Sequence, residues 1–372
     1  MIGKQILSTA AAFGSSSVAV VAQSKRWTFF GHGVALGDQV RWINSSASSD
    51  DDCNDGNAAT VRVDAFNSTS STTNITFYEA SEVTGPLQLC YRFSTGDHPF
   101  KLYPAIKIHV FQLYGVQAAQ QGSTRVSVAG YAKILQLSGF GTAEFDRVKW
   151  LLQGSTNCSA AGQVAPLVSS GEAGNNEAYV SSSFEASFEF TEDVFNLAPT
   201  GNGSANCTLC YKFGSEEFQH YPLMSMGIHC VSGWTTTVGS PSVAVVGVPK
   251  SLSFTGYGIS ENESVEDRAN WILSGSNCSQ NAASIVDVAD HDSRVQVSAG
   301  LATFTFTSSA SGGTPSLCYW FQDEPGMLFS PLSINVAHLS TLSAPSFGDA
   351  DVAVVGYTKT WGFAGGHIEN GD

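Results

Sequence analysis

The sequence predicts an all-β protein: three tandem antiparallel β-sandwich domains followed by an orphan C-terminal strand segment. Three observations point there. A phrase of the form K-x-W-x-F-x-G-x-G occurs four times in the 372 residues; apolar residues within each copy alternate; and no stretch joins an apolar 3.6-residue period to helix caps. The Lys-to-Lys spacings of 108, 117 and 109 residues are those of whole domains in tandem, each long enough to bury its own core.

The phrase first runs from Lys25 to Gly33, with Trp27 and Phe29 on one face of a strand. It returns at Lys133–Gly141 and Lys250–Gly258, where Leu135 and Leu252 replace the Trp, and at Lys359–Gly365, where Trp361 and Phe363 restore it. Each copy follows a Val/Ala strand: Val18–Val21, Val126–Ala129, Val243–Val246 and Val352–Val355. Behind the first three come an Asp four residues before a Trp (Asp38/Trp42, Asp146/Trp150, Asp267/Trp271) and then a Cys (Cys53, Cys158, Cys278). A Leu-Cys-Tyr-x-Phe strand follows (Leu89–Phe93, Leu209–Phe213, Leu317–Phe321), and last an alternating strand (Ile106–Val110, Met224–Ile228, Leu332–Val336).

This frame gives an organisation of 1–17, a segment resembling the tail of a preceding repeat; domains 18–116, 124–234 and 241–340; and 351–372, the start of a fourth repeat or a donated strand. Gln117–Thr124, Thr235–Ser240 and Ser340–Ala350 read as short polar connectors. About seven short strands per hundred residues is the arithmetic of a β-sandwich.

The repeated phrase and the Cys…Cys-Tyr-x-Phe landmarks resemble tandem immunoglobulin-like domains of secreted filaments and surface fibres. The resemblance covers the whole chain at the level of pattern and implies immunoglobulin-like sandwiches. One departure stands out: the Trp precedes both cysteines of each pair, and the Tyr follows the second. The resemblance therefore does not imply a disulfide joining the second and sixth strands through the core.

The eight cysteines partition by repeat. Alignment of the copies pairs Cys53 with Cys90, Cys158 with Cys210 and Cys278 with Cys318, and leaves Cys207 and Cys230 to pair by elimination. That is a disulfide framework, which implies an oxidising compartment. Zinc at Cys207-x-x-Cys210 is the rival reading, but it lacks a second ligand pair. Asn44, Asn67, Asn74, Asn157, Asn202, Asn206, Asn262 and Asn277 each begin an N-x-S/T acceptor for N-linked glycans, and Asn157 and Asn277 stand at the same place in the repeat. Both features point to an extracellular protein, secreted or at a cell surface. Residues 1–17 do not read as a signal peptide, because Ser8 and Thr9 break their apolar run.

Net charge is −15 with 13% charged residues and no basic patch, so nucleic acid is not an expected partner. No apolar run approaches 18 residues, so no membrane span is expected. No cofactor or resident metal is expected either. Asp50–Gly56 has the look of a calcium loop, yet Cys53 occupies a ligand place and no Glu closes it; a solvated acidic turn is preferred. Asp287, Asp290 and Asp292 read likewise. Asp38, Asp146 and Asp267 read as turn caps rather than calcium ligands between domains, and Arg41 and Lys149 as solvated strand residues. Among eight histidines only His109 and His229 look equivalent, with Asn335 in the third copy, and no Ser/His/acid set emerges. Gly31-x-Gly33 opens no helix, which excludes a nucleotide fingerprint. Trp42, Trp150 and Trp271 read as core residues rather than sugar platforms. Trp27, Trp234, Trp320 and Trp361 vary between copies and are the candidates for contacts between domains or subunits.

Residues 13–29 match 347–363 at a constant offset of 334. Three explanations stand: a longer polypeptide with a three-domain super-repeat, donation of the tail strands to a second subunit, or local fold-back. The expected function is a non-enzymatic structural subunit of an extracellular glycoprotein filament. It would assemble head-to-tail as a homopolymer through Val352, Val354, Val355, Trp361 and Phe363. The alternative is a monomeric adhesin or lectin-like binding module.

Overall fold

A computed structural model of the chain describes residues 5–44, 46–54, 72–77, 86–95, 98–120, 122–160, 164–169, 176–197, 205–259, 267–273, 275–278, 284–287, 294–307, 314–322, 324–344 and 348–367. Two compact units divide it. The first holds 1–120, 132–198 and 206–226; the second holds 121–131, 199–205 and 227–372. Among the described residues no helix is long and apolar enough to cross a membrane.

The first unit opens with β1 (Gln5–Ala11), β2 (Val18–Val20), β3 (Lys25–His32), β4 (Gln39–Asn44), α1 (Asp50–Asn54), β5 (Thr72–Ile75), β6 (Leu87–Arg92) and β7 (Lys101–Ala118). One sheet has the order β1-β3-β5, and the facing one runs β4-β6-β7 with β2 parallel on β7. Two antiparallel sheets closed over one core, with a short early strand crossing to pair in parallel with the last, make an immunoglobulin-like sandwich. The core includes Trp27, Phe29, Trp42, Leu89, Tyr91 and Ile108, all under 2% exposed. Trp27, expected to contact another domain or subunit, is instead a core residue of the first copy, its ring centroid 6.4 Å from that of Trp42. It sits there because it alternates with Phe29 on the inward face of β3.

The second copy contributes β9 (Ala132–Phe140), β10 (Arg147–Leu152), β11 (Leu167–Ser169), β12 (Ala178–Tyr179), β13 (Glu185–Phe190), α2 (Asp193–Leu197), β14 (Ala205–Lys212) and the start of β15 (Gln219–Thr235). β9 pairs with residues 112–118 of β7 and with β13, while β10 lies between β12 and β14. Gln117 and Ala118, expected in a connector, lie in β7. The last strand of one copy runs on as the first strand of the next, and β1 is the counterpart of that second half.

The second unit contains β8 (Val126–Val128), the rest of β15, β16 (Val243–Val245), β17 (Pro249–Tyr257), β18 (Asp267–Ile272), β19 (Val286–Asp287), β20 (Val295–Val297), β21 (Leu301–Phe306), β22 (Ser316–Trp320), β23 (Met327–Ser333), β24 (Asn335–Ser343) and β25 (Gly362–Gly366). β8 and β16 pair in parallel with residues 227–229 and 335–337, as β2 does with 109–111. β24 again runs through an expected connector and pairs with β25.

The first glycine of the repeated G-x-G has a steric cause. A Cβ on Gly31 would stand 2.0 Å from the Gln5 carbonyl oxygen, on Gly139 2.4 Å from that of Gln112, and on Gly256 2.0 Å from that of Cys230. The neighbouring strand crosses too closely for any side chain.

The register corrects the pairing of histidines. His109 lies opposite Val18, and its counterparts are Gly227 opposite Val126 and Asn335 opposite Val243. His229 lies opposite Val128, and its counterpart is Phe111 opposite Val20.

Disulfides join Cys53–Cys90, Cys158–Cys210 and Cys278–Cys318, with Cα–Cα distances of 5.7, 6.1 and 5.6 Å. Each ties the Cys of the Leu-Cys-Tyr strand to the segment after the Trp strand. The expected fourth disulfide is not formed: Cys207 and Cys230 keep their thiols, both buried. Cys207 faces Leu152 across β14–β10 in the first unit, and Cys230 faces Tyr257 across β15–β17 in the second.

Candidate assembly interface

The repeated phrase begins with a Lys because that Lys closes a turn. Lys25 Nζ donates to the carbonyls of Ser15 at 2.7 Å and Val18 at 2.8 Å, and to Glu216 Oε2 at 2.6 Å. Glu216 Oε1 accepts the Ser15 N–H at 2.8 Å. Lys25 is 1% exposed and Glu216 2%. Burial pulls the ammonium below its ordinary pKa, while the hydrogen bond and charge of Glu216 oppose that pull. Gly14 makes room: it has φ +62°, and a Cβ there would lie 2.3 Å from the glutamate. Gln23 Nε2 adds a bond to the Glu217 carbonyl at 3.2 Å. All these residues lie in the first unit, yet Gly14–Lys25 belongs to the first copy and Glu216 to the second.

The same contact recurs one copy on, within the second unit. The Ser123 N–H donates to Glu324 Oε1 at 2.6 Å, and a Cβ on Gly122 (φ +121°) would lie 2.7 Å from that carboxylate. Glu216 and Glu324 each stand three residues after the Phe of the Tyr-x-Phe strand (Phe213, Phe321). Their partners lie 201 residues away in each case, which hid them from any local reading of the sequence.

The tail repeats the head with a different outcome. Lys359 Nζ bonds the carbonyls of Asp349 and, at 2.6 Å, Val352, so the turn forms. Residues 352–355, expected as a strand, are not one. β2, β8 and β16 owe their strand character to a parallel partner, and among the described residues 352–355 has none. Val352 is 55% exposed, Val354 60%, Val355 99% and Phe363 61%; Trp361 is half-buried, its Nε1–H donating to the Ala350 carbonyl at 3.1 Å. Val352, Val354, Tyr357, Thr358 and Lys359 line an open groove. β25 pairs with β24 as β3 pairs with β1.

The other singled-out residues are structural. Asp38, Asp146 and Asp267 are buried; their Oδ2 atoms accept the hydroxyls of Tyr91, Tyr211 and Tyr319 at 2.5, 2.6 and 2.9 Å. Their Oδ1 atoms accept the N–H groups of Ser94, Gly214 and Gln322. Asp38 and Asp146 also cap the turn three residues before them. The acidic run at Asp50 is a helix, not a loose turn: Asp52 accepts the Ser48 and Ser49 N–H groups, and Asp50 that of Leu102. Asp55, Gly56, Asp290 and Asp292 lie outside the described residues, and among the described residues no group of three acids, His or Cys could hold a metal.

Trp42, Trp150 and Trp271 are core residues. Where Leu252 replaces Trp27's counterpart, Trp234 comes in edge-on to Trp271 at 5.1 Å; Trp320 is buried beside Cys278–Cys318. Lys149, expected to be solvated, is buried over the Phe218 ring at 3.8 Å with Glu177 Oε1 at 3.8 Å; burial lowers its pKa. Arg41 packs on Phe100 and donates to the Cys53 carbonyl. Of the glycan acceptors, Asn74, Asn157 and Asn277 are exposed, Asn44 and Asn206 half-buried, and Asn67, Asn202 and Asn262 outside the described residues.

No protein-family model and no curated relative matches the chain. Among solved structures, it is similar to the N-terminal eight Ig domains of Down syndrome cell adhesion molecule, with 11% identity and a TM-score of 0.22 over 86% of this chain and 35% of that one. Extracellular domains 3–5 of Drosophila OTK give 10% identity and 0.19 over 86% and 93%. A marsupial T cell receptor gives 11% and 0.22 over 87% and 100%. The assignment of tandem immunoglobulin-like sandwiches rests on the strand order and register above rather than on these superpositions.

Proposed function

We propose that this chain is a structural, non-enzymatic subunit of an extracellular glycoprotein filament that assembles head-to-tail through its terminal strands. The observation that carries the reading is one phrase in two environments. Phe29 is 1% exposed in the completed first sandwich, while its counterpart Phe363, 334 residues on, is 61% exposed. Leaving Phe363 and Val355 in water forgoes about 1.5–3 kcal/mol of burial for each side chain. A strand from a second copy, paired with residues 352–355 as β7 pairs with β2, would cover them and supply main-chain hydrogen bonds. A contact of this kind that does not close on itself generates a filament. The three disulfides support an oxidising, extracellular location, and the exposed Asn74, Asn157 and Asn277 are the sequons best placed for glycans.

Deletion of residues 351–372 tests the reading by electron microscopy and sedimentation. Loss of polymers with the rest of the chain still folded is expected; filaments that persist unchanged would refute it.

A further inference from the structure

The third copy carries the turn-and-lysine device of the first in the same geometry. Lys250 Nζ donates to the Ser240 carbonyl at 2.7 Å, as Lys25 does to Ser15. The Ser240 and Ser242 hydroxyls lie 2.9 Å apart, against 2.8 Å for Ser15 and Ser17. The Ser242 N–H donates to Ser240 Oγ at 3.3 Å, as the Ser17 N–H does to Ser15 Oγ at 3.2 Å. Gly239 has φ +72°, close to the +62° of Gly14. What differs is the space beyond. A Cβ on Gly14 or Gly122 would strike a glutamate, whereas nothing lies within 4 Å of one on Gly239.

We propose that Gly239, Ser240 and Lys250 form a binding site for a side-chain carboxylate of a second copy of this chain. The ligand class follows from the filled sites: at Glu216 a backbone N–H beside a left-handed glycine and a lysine ammonium together match the two oxygens of one carboxylate, and at Glu324 a backbone N–H beside a left-handed glycine holds another. The site is preformed, because its internal bonds are already made in the absence of an acid. The fourth copy is a poorer receptor. Asp349 replaces the Ser, and its carboxylate, which accepts the Asp351 N–H at 3.3 Å, would repel an incoming acid. The source of the ligand, a second copy, rests on the head-to-tail reading; the site itself does not. In both filled examples the acid comes from the next copy along.

The test has two arms. In the first, N-acetylglutamate N-methylamide is titrated into the isotope-labelled full-length chain while amide signals are followed. The Ser240 amide should shift saturably, and those of Ser15 and Ser123, already bonded to glutamates, should stay still. Lys250→Met should abolish the Ser240 shift and Lys250→Arg should keep it. A Ser240 signal that does not move, or moves equally with Met at 250, overturns the site. This arm is read on a single chain and stands whether or not filaments form. In the second arm, sedimentation compares self-association of the wild type and Lys250→Met. Weakening by about tenfold or more is expected from loss of a charge-assisted bond. Equal association of the two proteins overturns the second copy as the source. A wild type that stays monomeric overturns it too, and with it the filament reading, while leaving the first arm to decide the site.

Discussion

Tyr211 donates its hydroxyl to Asp146 Oδ2 at 2.6 Å, and 65 residues of chain are tied across the second copy by that bond. Asp146 is 2% exposed and also accepts the Gly214 and Ala143 N–H groups. Burial pushes the Asp146 carboxyl up and the Tyr211 phenol far above its ordinary range, so the tyrosine remains a donor at any physiological pH. The same tie occurs at Asp38–Tyr91 and Asp267–Tyr319, which makes it a fixed part of this sandwich. Tyr211→Phe removes one donor and leaves Asp146 with two; a loss of about 1–2 kcal/mol is expected. Asp146→Ala removes the acceptor of one buried and two part-buried donors and should cost roughly 3 kcal/mol. Urea midpoints of the two variants check the order; equal midpoints would show that the carboxylate does no more than the hydroxyl bond.

Lys25 and Glu216 make a buried pair, and buried pairs are lost asymmetrically. Lys25→Met leaves Glu216 without its cation in a site from which water is excluded, and about 3–5 kcal/mol of destabilisation is expected. Adding Glu216→Gln removes the stranded charge and keeps an acceptor for the Ser15 N–H. The double variant should regain much of that loss. A double-mutant cycle read by denaturant unfolding measures the coupling; additive losses would mean that the pair does not act as one.

What the sequence displayed was whatever repeats at short range. Alternation set Trp27 and Phe29 on one face because a strand's side-chain period is two, and one Trp per copy read correctly as core. Four features lay beyond that reach. Glu216 is 191 residues from Lys25, and no local pattern links them. Connector composition at Gln117 hid a strand, because an edge running from one sandwich into the next needs only backbone pairing and tolerates polar side chains. The strand character of Val352–Val355 was misjudged for the converse reason: a short run of Val and Ala becomes a strand only against a partner. Asp50–Asn54 is too short to show a helical period, and its caps, Asp52 on Ser48 and Ser49, look like an acidic turn.

His229 should make the second unit acid-sensitive. Its ring is buried, edge-on to Phe321 at 5.1 Å, and burial pulls its pKa down to about 4, from an ordinary 6.5. The folded pKa is lower than the unfolded one, so the unfolded chain binds the proton first. Stability is therefore full above about pH 6.5 and is lost as the pH falls towards 4, by roughly 3 kcal/mol in all. Phe111 fills the counterpart position, with Gly141 against its ring as Gly258 lies against His229. The aromatic substitution is therefore tolerable in shape. His229→Phe should flatten the pH dependence of unfolding between 4 and 6.5; an unchanged slope would assign the acid sensitivity to other groups.

Cys207 and Cys230 set the redox arithmetic of the chain. Six cysteines are bonded and these two are buried thiols, with Cys207 pushed up to about 12 by desolvation. The thiolate is the reactive form, so at neutral pH the native protein should give almost no reaction with a thiol reagent. Unfolding in denaturant without reductant should expose two equivalents per chain. Zero equivalents would mean that the two do bond, against the arrangement described here. Cys207→Ala and Cys230→Ala should then leave the three disulfides and protease resistance intact. Cys90→Ser or Cys318→Ser instead opens a loop of 37 or 40 residues, at a cost of about 3–4 kcal/mol in the chain-entropy account. Faster proteolysis of those two variants beside unchanged rates for the Cys207 and Cys230 variants would separate the cysteines that hold the sandwiches closed from those that merely pack in them.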